Sequence, residues 1–227
     1  MLFHIPDVLD AQELQLLRQT LAQAGPAWVD GRVTAGYQGA AVKFNQQIDE
    51  ASTVARDCQR VVLAAVENHS QFISAAVPNT IYPPMFNRYG EGMTFGAHID
   101  GSIRVLAAGS KLRTDLSATL FLSEPEDYDG GELLIHEATG VRKVRYKAGD
   151  MVLYPSTSLH QVSPITRGER LACFFWVESL VRDDAQRTIL YELDQAIQTL
   201  NAADADAQAR RTLAGVYHNL IRQWAVT

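Results

Sequence analysis

His98 and Asp100 lie two residues apart in the run Gly96-Ala97-His98-Ile99-Asp100. On an extended strand, residues at that spacing project from the same face. An imidazole and a carboxylate placed this way can aim at one point. A further imidazole from a neighbouring strand would complete a facial set of two histidines and one carboxylate, leaving adjacent positions on a metal open for chemistry. His-x-Asp alone is a weak signal that reads more readily as a polar turn. The weight comes from a second stretch, Gly149 to His160, followed ten residues later by Arg170. A strand is expected to end at Pro155, so His160 falls in a short connection where its ring can enter a pocket. Arg170 then opens an apolar strand. A guanidinium buried there is costly unless it meets an anion. Its planar fork suits a carboxylate, either of an internal Asp or Glu or of a bound ligand.

The other candidate groups carry less. His136 is the competing histidine, but no Arg follows it at a similar distance. His4, His69 and His218 fall in terminal or helical segments and read as surface or capping residues. Glu124, Glu126, Asp127 and Asp129 lack the spacing and central glycine of a calcium loop, so a solvated turn is expected. Gly90-x-Gly92 lacks the third glycine and following helix of a dinucleotide fingerprint. Cys58 and Cys173 each sit in an apolar pattern and read as buried thiols.

The elements that must position these residues fall into three stretches. Asp10 and Glu13 make a capping-box pattern ahead of Leu14, Leu17 and Leu21, predicting a helix over residues 10–24 that Gly25-Pro26 stops. A second helix is expected over 52–68, with Val54, Cys58, Val61, Val62 and Ala65 on one face. From about residue 80, short β-prone runs alternate with turn residues. These runs are Ile81-Tyr82, Phe86 to Tyr89, Ala118 to Leu122, Glu132 to Ile135, Val141 to Tyr146, Met151 to Tyr154 and Leu171 to Glu178. Many short strands at this spacing predict an antiparallel sandwich or barrel, foremost a jelly roll. Beyond Glu178 helical periodicity returns. Ile189, Leu193, Ile197 and Leu200 form one stripe, and Leu213, Val216, Tyr217, Leu220, Ile221 and Trp224 another, joined through 201–206. This hairpin must bury its apolar faces on the sheet or on another subunit. The expected division is therefore 1–79 as helical and strand support, 80–180 as a jelly-roll core, and 181–227 as a helical extension.

The 227-residue chain is large enough for one sizeable core, and its net charge of -6 argues against nucleic acid as a partner. The start MLFHIPDVLD lacks a basic lead into a long apolar run, and no stretch is long enough to span a membrane. With two cysteines, a cytoplasmic location is expected and a disulfide framework is not.

Taken together, His98-x-Asp100, His160 and Arg170 resemble the iron and 2-oxoglutarate-dependent dioxygenases of the prolyl-hydroxylase branch. Nearly the whole chain is similar to the bacterial PKHD-type hydroxylases, the PiuC and YbiX group. The similarity runs through Phe44-Asn45-Gln46-Gln47, Tyr82 to Asp100, Asp129 to Leu133, and Tyr154-Pro155-Ser156 to Arg170. The resemblance implies a double-stranded β-helix core, with Fe(II) on His98, Asp100 and His160, 2-oxoglutarate on Arg170, and Tyr89 hydrogen-bonded to that cosubstrate. Some relatives place Ser or Thr two residues after the anchoring Arg, where this chain has Ala172, so a second hydroxyl must come from elsewhere or from water. The implied reaction is hydroxylation of a small-molecule or peptide substrate with dioxygen, releasing succinate and carbon dioxide. Association with ascorbate and with iron acquisition is implied as well. Asp100 favours hydroxylation over halogenation, since halogenating relatives lack this carboxylate. Residues 101–115 read as either a lid or a plain loop. The rival readings are a cupin-type metalloenzyme, for which the first cupin motif is missing, and a non-catalytic sensor of iron or 2-oxoglutarate.

Overall fold

A computed structural model describes residues 2–204 and 206–226. Among these residues two antiparallel sheets face each other as a double-stranded β-helix. The larger, eight-stranded sheet runs in the order Phe3–Ile5, Met151–Pro155, Leu116–Phe121, Arg170–Ser179, Met85–Tyr89, Gln46–Ile48 and Trp28–Asp30, with Pro78–Ile81 pairing the far end of Arg170–Ser179. The smaller sheet runs Gly140–Val144, Leu133–Glu137, His160–Val162, Thr94–His98 and Lys43–Phe44. Four strands from the first 79 residues are thus built into the two sheets. Their two- and three-residue lengths explain why the sequence pattern did not reveal them.

Alternation along the strands divides the larger sheet into two chemically distinct faces. Leu116, Ala118 and Leu120, Leu153, and Cys173, Phe175 and Val177 point outward and are buried. They pack against Leu17 and Leu21 of Ala11–Ala22, Cys58, Val62 and Val66 of Thr53–Asn68, and Phe72 of Ser70–Ala76. Each Leu, Val or Phe among them contributes about 1.5–3 kcal/mol by leaving water. The opposite positions, Ser117 and Thr119, Tyr154, Asn87 and Tyr89, and Arg170, Phe174 and Trp176, line a cavity between the sheets. The helices therefore stiffen one face and leave the other free to carry chemistry.

The helix ends follow from their caps. Asp10 accepts from the backbone N–H groups of Gln12 and Glu13 while Glu13 accepts from that of Asp10, the predicted capping box. Ser52 caps Thr53–Asn68, and His69 caps the unpredicted short helix Ser70–Ala76 by accepting from Phe72 N–H. The C-terminal helices Asp184–Ala202 and Ala207–Trp224 form the expected hairpin, and the first packs against Ser70–Ala76. One position of its predicted link, 205, lies outside the described residues. The stripe is rotated from the expected one, since Leu190 and Ile197 are buried while Ile189 is exposed. Cys58 and Cys173 are buried free thiols.

Candidate active site

His98 ends the strand Thr94–His98, and His160 opens the strand His160–Val162 directly opposite it. Two positional expectations need correction here. Asp100 lies just beyond its strand, not on it, because the chain leaves the sheet after His98. His160 is a strand residue, not part of a connection, because it pairs with both His98 and Ile135. The convergence survives both changes. One ligand atom from each of His98, Asp100 and His160 lies within 4.8 Å of the others, with His98 Nε2 and His160 Nε2 each 3.8 Å from an Asp100 oxygen.

Each group is held by its surroundings. His98 Nδ1 donates to Gly96 O at 2.8 Å and His160 Nδ1 to Ser158 O at 3.0 Å, which leaves both Nε2 lone pairs directed inward. Phe95 stacks on the His98 ring with centroids 3.6 Å apart. Burial, and then the neighbouring His160, lowers the His98 pKa to about 4, so the ring is neutral as a metal ligand must be. Ser117 Oγ donates to Asp100 Oδ2 at 2.6 Å. Because that proton is committed, Ser156 must donate to Ser117 across their 2.7 Å contact. Among the described residues this is the one cluster able to hold a metal ion. His136 faces away on the strand Leu133–Glu137 and takes no part.

Arg170 lies deeper on the floor, 1% exposed, with its guanidinium 5.5 Å from the rings of both Tyr89 and Phe121. No carboxylate pairs with it among the described residues, and its Nε and Nη2 are buried without any acceptor. The alternative of an internal ion pair therefore fails. Gly131 makes room for it: at φ +66° a Cβ would stand 2.3 Å from Ile165 Cδ1 and 3.2 Å from Arg170 Cδ. Burial pushes Tyr89 up to about 12 and Tyr154 well above its ordinary value, so both phenols stay protonated. Tyr154 and Thr119 line the same cavity and put hydroxyls where Ala172 offers none. Alternation along Met151–Pro155 was the signal that could have pointed to Tyr154.

The cavity measures about 600 Å³. Lys43 and Arg104 also line it, and sequence reading singled out neither. A lysine between Val42 and Phe44 was the available clue to the first. The second belongs to the hairpin Ile103–Val105 and Lys111–Arg113, which occupies the region expected to be a lid or loop and brings Ile103 and Arg104 to the cavity wall.

Residues 84–178 match the family model for the 2OG-Fe(II) oxygenase superfamily, and residues 184–225 match the PKHD-type hydroxylase C-terminal domain. A curated PKHD-type hydroxylase of Cupriavidus metallidurans is 64% identical over 228 residues, covering 100% of both chains. This chain belongs to the PKHD-type hydroxylase family. It is accordingly an enzyme of the 2OG-Fe(II) oxygenase class, for which Fe(II) and 2-oxoglutarate are the fitting cofactor and cosubstrate. Solved structures share the fold of this PKHD-type hydroxylase. A Pseudomonas putida prolyl-4-hydroxylase aligns with a TM-score of 0.54 at 21% identity, covering 78% of this chain and 92% of that one. HygX from Streptomyces hygroscopicus, solved with nickel and 2-oxoglutarate, aligns with a TM-score of 0.52 at 17% identity, covering 78% and 82%. No described helix is long and apolar enough to cross a membrane.

Proposed function

We propose that His98, Asp100 and His160 bind Fe(II), that Arg170 anchors the far carboxylate of 2-oxoglutarate with Tyr89 beside it, and that the enzyme hydroxylates a substrate drawn into the same cavity. The observation that carries this reading is the buried Arg170 guanidinium, whose free N–H groups share one cavity with two imidazoles and a carboxylate. The donor set suits a divalent metal that keeps open positions. With its cosubstrate such a metal supplies the oxidation, in which dioxygen is consumed, 2-oxoglutarate becomes succinate and carbon dioxide, and one oxygen atom enters a substrate C–H bond.

The chain's own residues bind, orient and exclude water. Arg170 fixes the direction of the cosubstrate from its far end, so that the keto acid end meets the metal side of the cavity. Tyr89 and Tyr154, protonated by virtue of burial, donate hydrogen bonds and cannot repel a carboxylate. Ser117 and Ser156 hold the Asp100 carboxylate against rotation. Phe95, Phe174 and Trp176 give the cavity an aromatic wall.

The finer assignments belong to the same proposal. Residues 80–180 act as the catalytic core, 1–79 support it, and 181–227 form an extension through which copies associate, supported by the exposed Ile189 and Val216. Ascorbate serves to keep the metal ferrous. A cytoplasmic location is supported by the two unpaired thiols, and a link to iron acquisition by the family resemblance alone. The test is anaerobic addition of Fe(II) and 2-oxoglutarate. A visible charge-transfer band should form in the protein and be lost in Asp100→Ala. A band without succinate formation across a broad substrate panel would instead mark a sensor. Tight zinc binding with no band would remove the dioxygenase assignment.

A further inference from the structure

Lys43 and Arg104 have no part in metal or cosubstrate binding, yet both side chains reach the cavity and neither meets a carboxylate among the described residues. Lys43 is 5% exposed. Its ammonium donates to Gln47 Oε1 at 2.9 Å and Thr34 Oγ1 at 3.3 Å, both neutral acceptors, which leaves a third N–H and no directly paired carboxylate among the described residues. It lies 5.3 Å from the Phe95 ring and 5.7 Å from that of Phe174. The Arg104 guanidinium lies 4.3 Å from the ring of Trp176 and 4.9 Å from that of Tyr82.

These contacts fix an order along one strand. Arg170, Phe174 and Trp176 alternate onto the inward face of Arg170–Ser179, and the last two rings are 5.7 Å apart. Arg170 stands at one end as the cosubstrate anchor. Beyond it, Lys43 and Arg104 stand at either end of the Phe174–Trp176 pair. Trp176 lies opposite Ser117, the residue that holds Asp100, so this second cationic region borders the metal side of the cavity.

Charge matching gives the region a purpose. Among the residues lining the cavity the cations are Lys43, Arg104 and Arg170, and the carboxylate is Asp100. Asp100 is matched by a metal and Arg170 by the cosubstrate. Lys43 and Arg104 remain, inside a chain whose net charge is -6. Positive charge concentrated in a low-dielectric cleft of an acidic protein draws anions into that cleft. Lys43 is a buried cation without a paired carboxylate among the described residues, a destabilising arrangement relieved when a ligand supplies the counter-charge. Arg104 is half-buried on the rings of Trp176 and Tyr82.

We infer that Lys43 and Arg104, with the wall of Phe95, Phe174 and Trp176, form a substrate subsite for a small organic oxyanion, a carboxylate or phosphate ester carrying an aromatic or aliphatic body. This inference rests on the dioxygenase reading of the same cavity. The oxyanion is held between the two cations, the body lies on the rings, and a C–H bond is thereby presented towards His98, Asp100 and His160.

The test is calorimetric titration of the anaerobic Fe(II) protein at saturating 2-oxoglutarate, which keeps Arg170 engaged. The probes are 3-phenylpropanoate and phenyl phosphate, which separate the two oxyanions, with 3-phenylpropanamide as the neutral match and 3-phenylpropylamine as the cationic one. At least one oxyanion should bind about tenfold or more tightly than the amide, and the amine should not bind. Lys43→Met and Arg104→Met should each weaken that oxyanion about tenfold, leave the amide unchanged, and retain the 2-oxoglutarate band that reports an intact fold. Equal binding of oxyanion and amide would overturn the inference, as would failure of both oxyanions to bind at millimolar concentration. So would variants that bind the oxyanion like the parent, or binding seen only without 2-oxoglutarate, which would place the probe on Arg170. The dioxygenase reading fails by a separate readout, absence of the band in the unaltered protein. Without cosubstrate, the comparison of parent with Lys43→Met and Arg104→Met would still report on these two residues, because a probe seated on Arg170 would not respond to either substitution.

Discussion

Replacing Arg170 by Met should move stability and cosubstrate affinity in opposite directions. In the ligand-free protein the guanidinium is buried with its Nε and Nη2 unpartnered, so it burdens the fold. Methionine fills similar space without a charge and should leave the ligand-free protein as stable or raise its Tm, by about 2–4 °C for each kcal/mol relieved in a chain of this size. If Arg170 anchors the cosubstrate as proposed, the same change removes two charge-assisted hydrogen bonds to its carboxylate, each contributing about 1.5–3 kcal/mol. Their joint loss of about 3–6 kcal/mol corresponds to an affinity weakened about 10²- to 10⁴-fold. At a 2-oxoglutarate concentration one hundred times its Kd, the parent protein gains about 2.7 kcal/mol of stability. A variant binding one hundredfold more weakly gains only about 0.4 kcal/mol there. Thermal melts with and without 2-oxoglutarate, beside anaerobic titration of the visible band, measure both quantities. A variant that melts several degrees lower while binding 2-oxoglutarate unchanged would refute the reasoning, since Arg170 would then be serving the fold and not the ligand.

Three further outcomes follow from the structure. Ser117→Ala removes the 2.6 Å hydrogen bond that orients Asp100, and should weaken Fe(II) or Mn(II) binding about 10- to 100-fold in metal titrations while the melting curve barely moves. Phe175→Ala empties a buried site against Phe72 on the helix-covered face, and should cost about 3–5 kcal/mol, read as a lower urea midpoint at unchanged m-value. Burial, reinforced by Arg104 and opposed by Asp100, Glu50 and Asp30, lowers the Lys43 pKa from 10.5 to about 8. The unfolded chain therefore binds more protons than the folded one between about pH 8 and 10.5, and this lysine's contribution to stability should increase as pH rises through that window. Chemical denaturation at pH 7 and pH 10 should show this increment in the parent and lose it in Lys43→Met. An identical pH dependence in both proteins would remove the assignment.

The candidate groups His98, Asp100, His160 and Arg170, which the structure brings to one cavity, were legible because their signals are local. His98-x-Asp100 is a period-two spacing, and Arg170 is a cation at the head of an apolar strand. Ala11–Ala22 announced itself through Asp10 and Glu13, and both it and Thr53–Asn68 through apolar residues at helical spacing. The strands Trp28–Asp30, Lys43–Phe44 and Gln46–Ile48 were not legible, since two or three residues cannot display a period. Their existence depends on the edges they pair with.

The amino-acid order determined which groups were available and, along most strands, which of them share a face, because alternation follows from covalent geometry repeated along a strand. It could not determine which elements meet. Pairing His160 with His98, leaving Arg170 without a carboxylate among the described residues, lining the cavity with the hydroxyls of Tyr154 and Thr119, and carrying Lys43 and Arg104 to one aromatic wall are all consequences of strand register and helix cover. Those depend on burying apolar surface across the whole chain at once, a collective property that no spacing between two residues encodes.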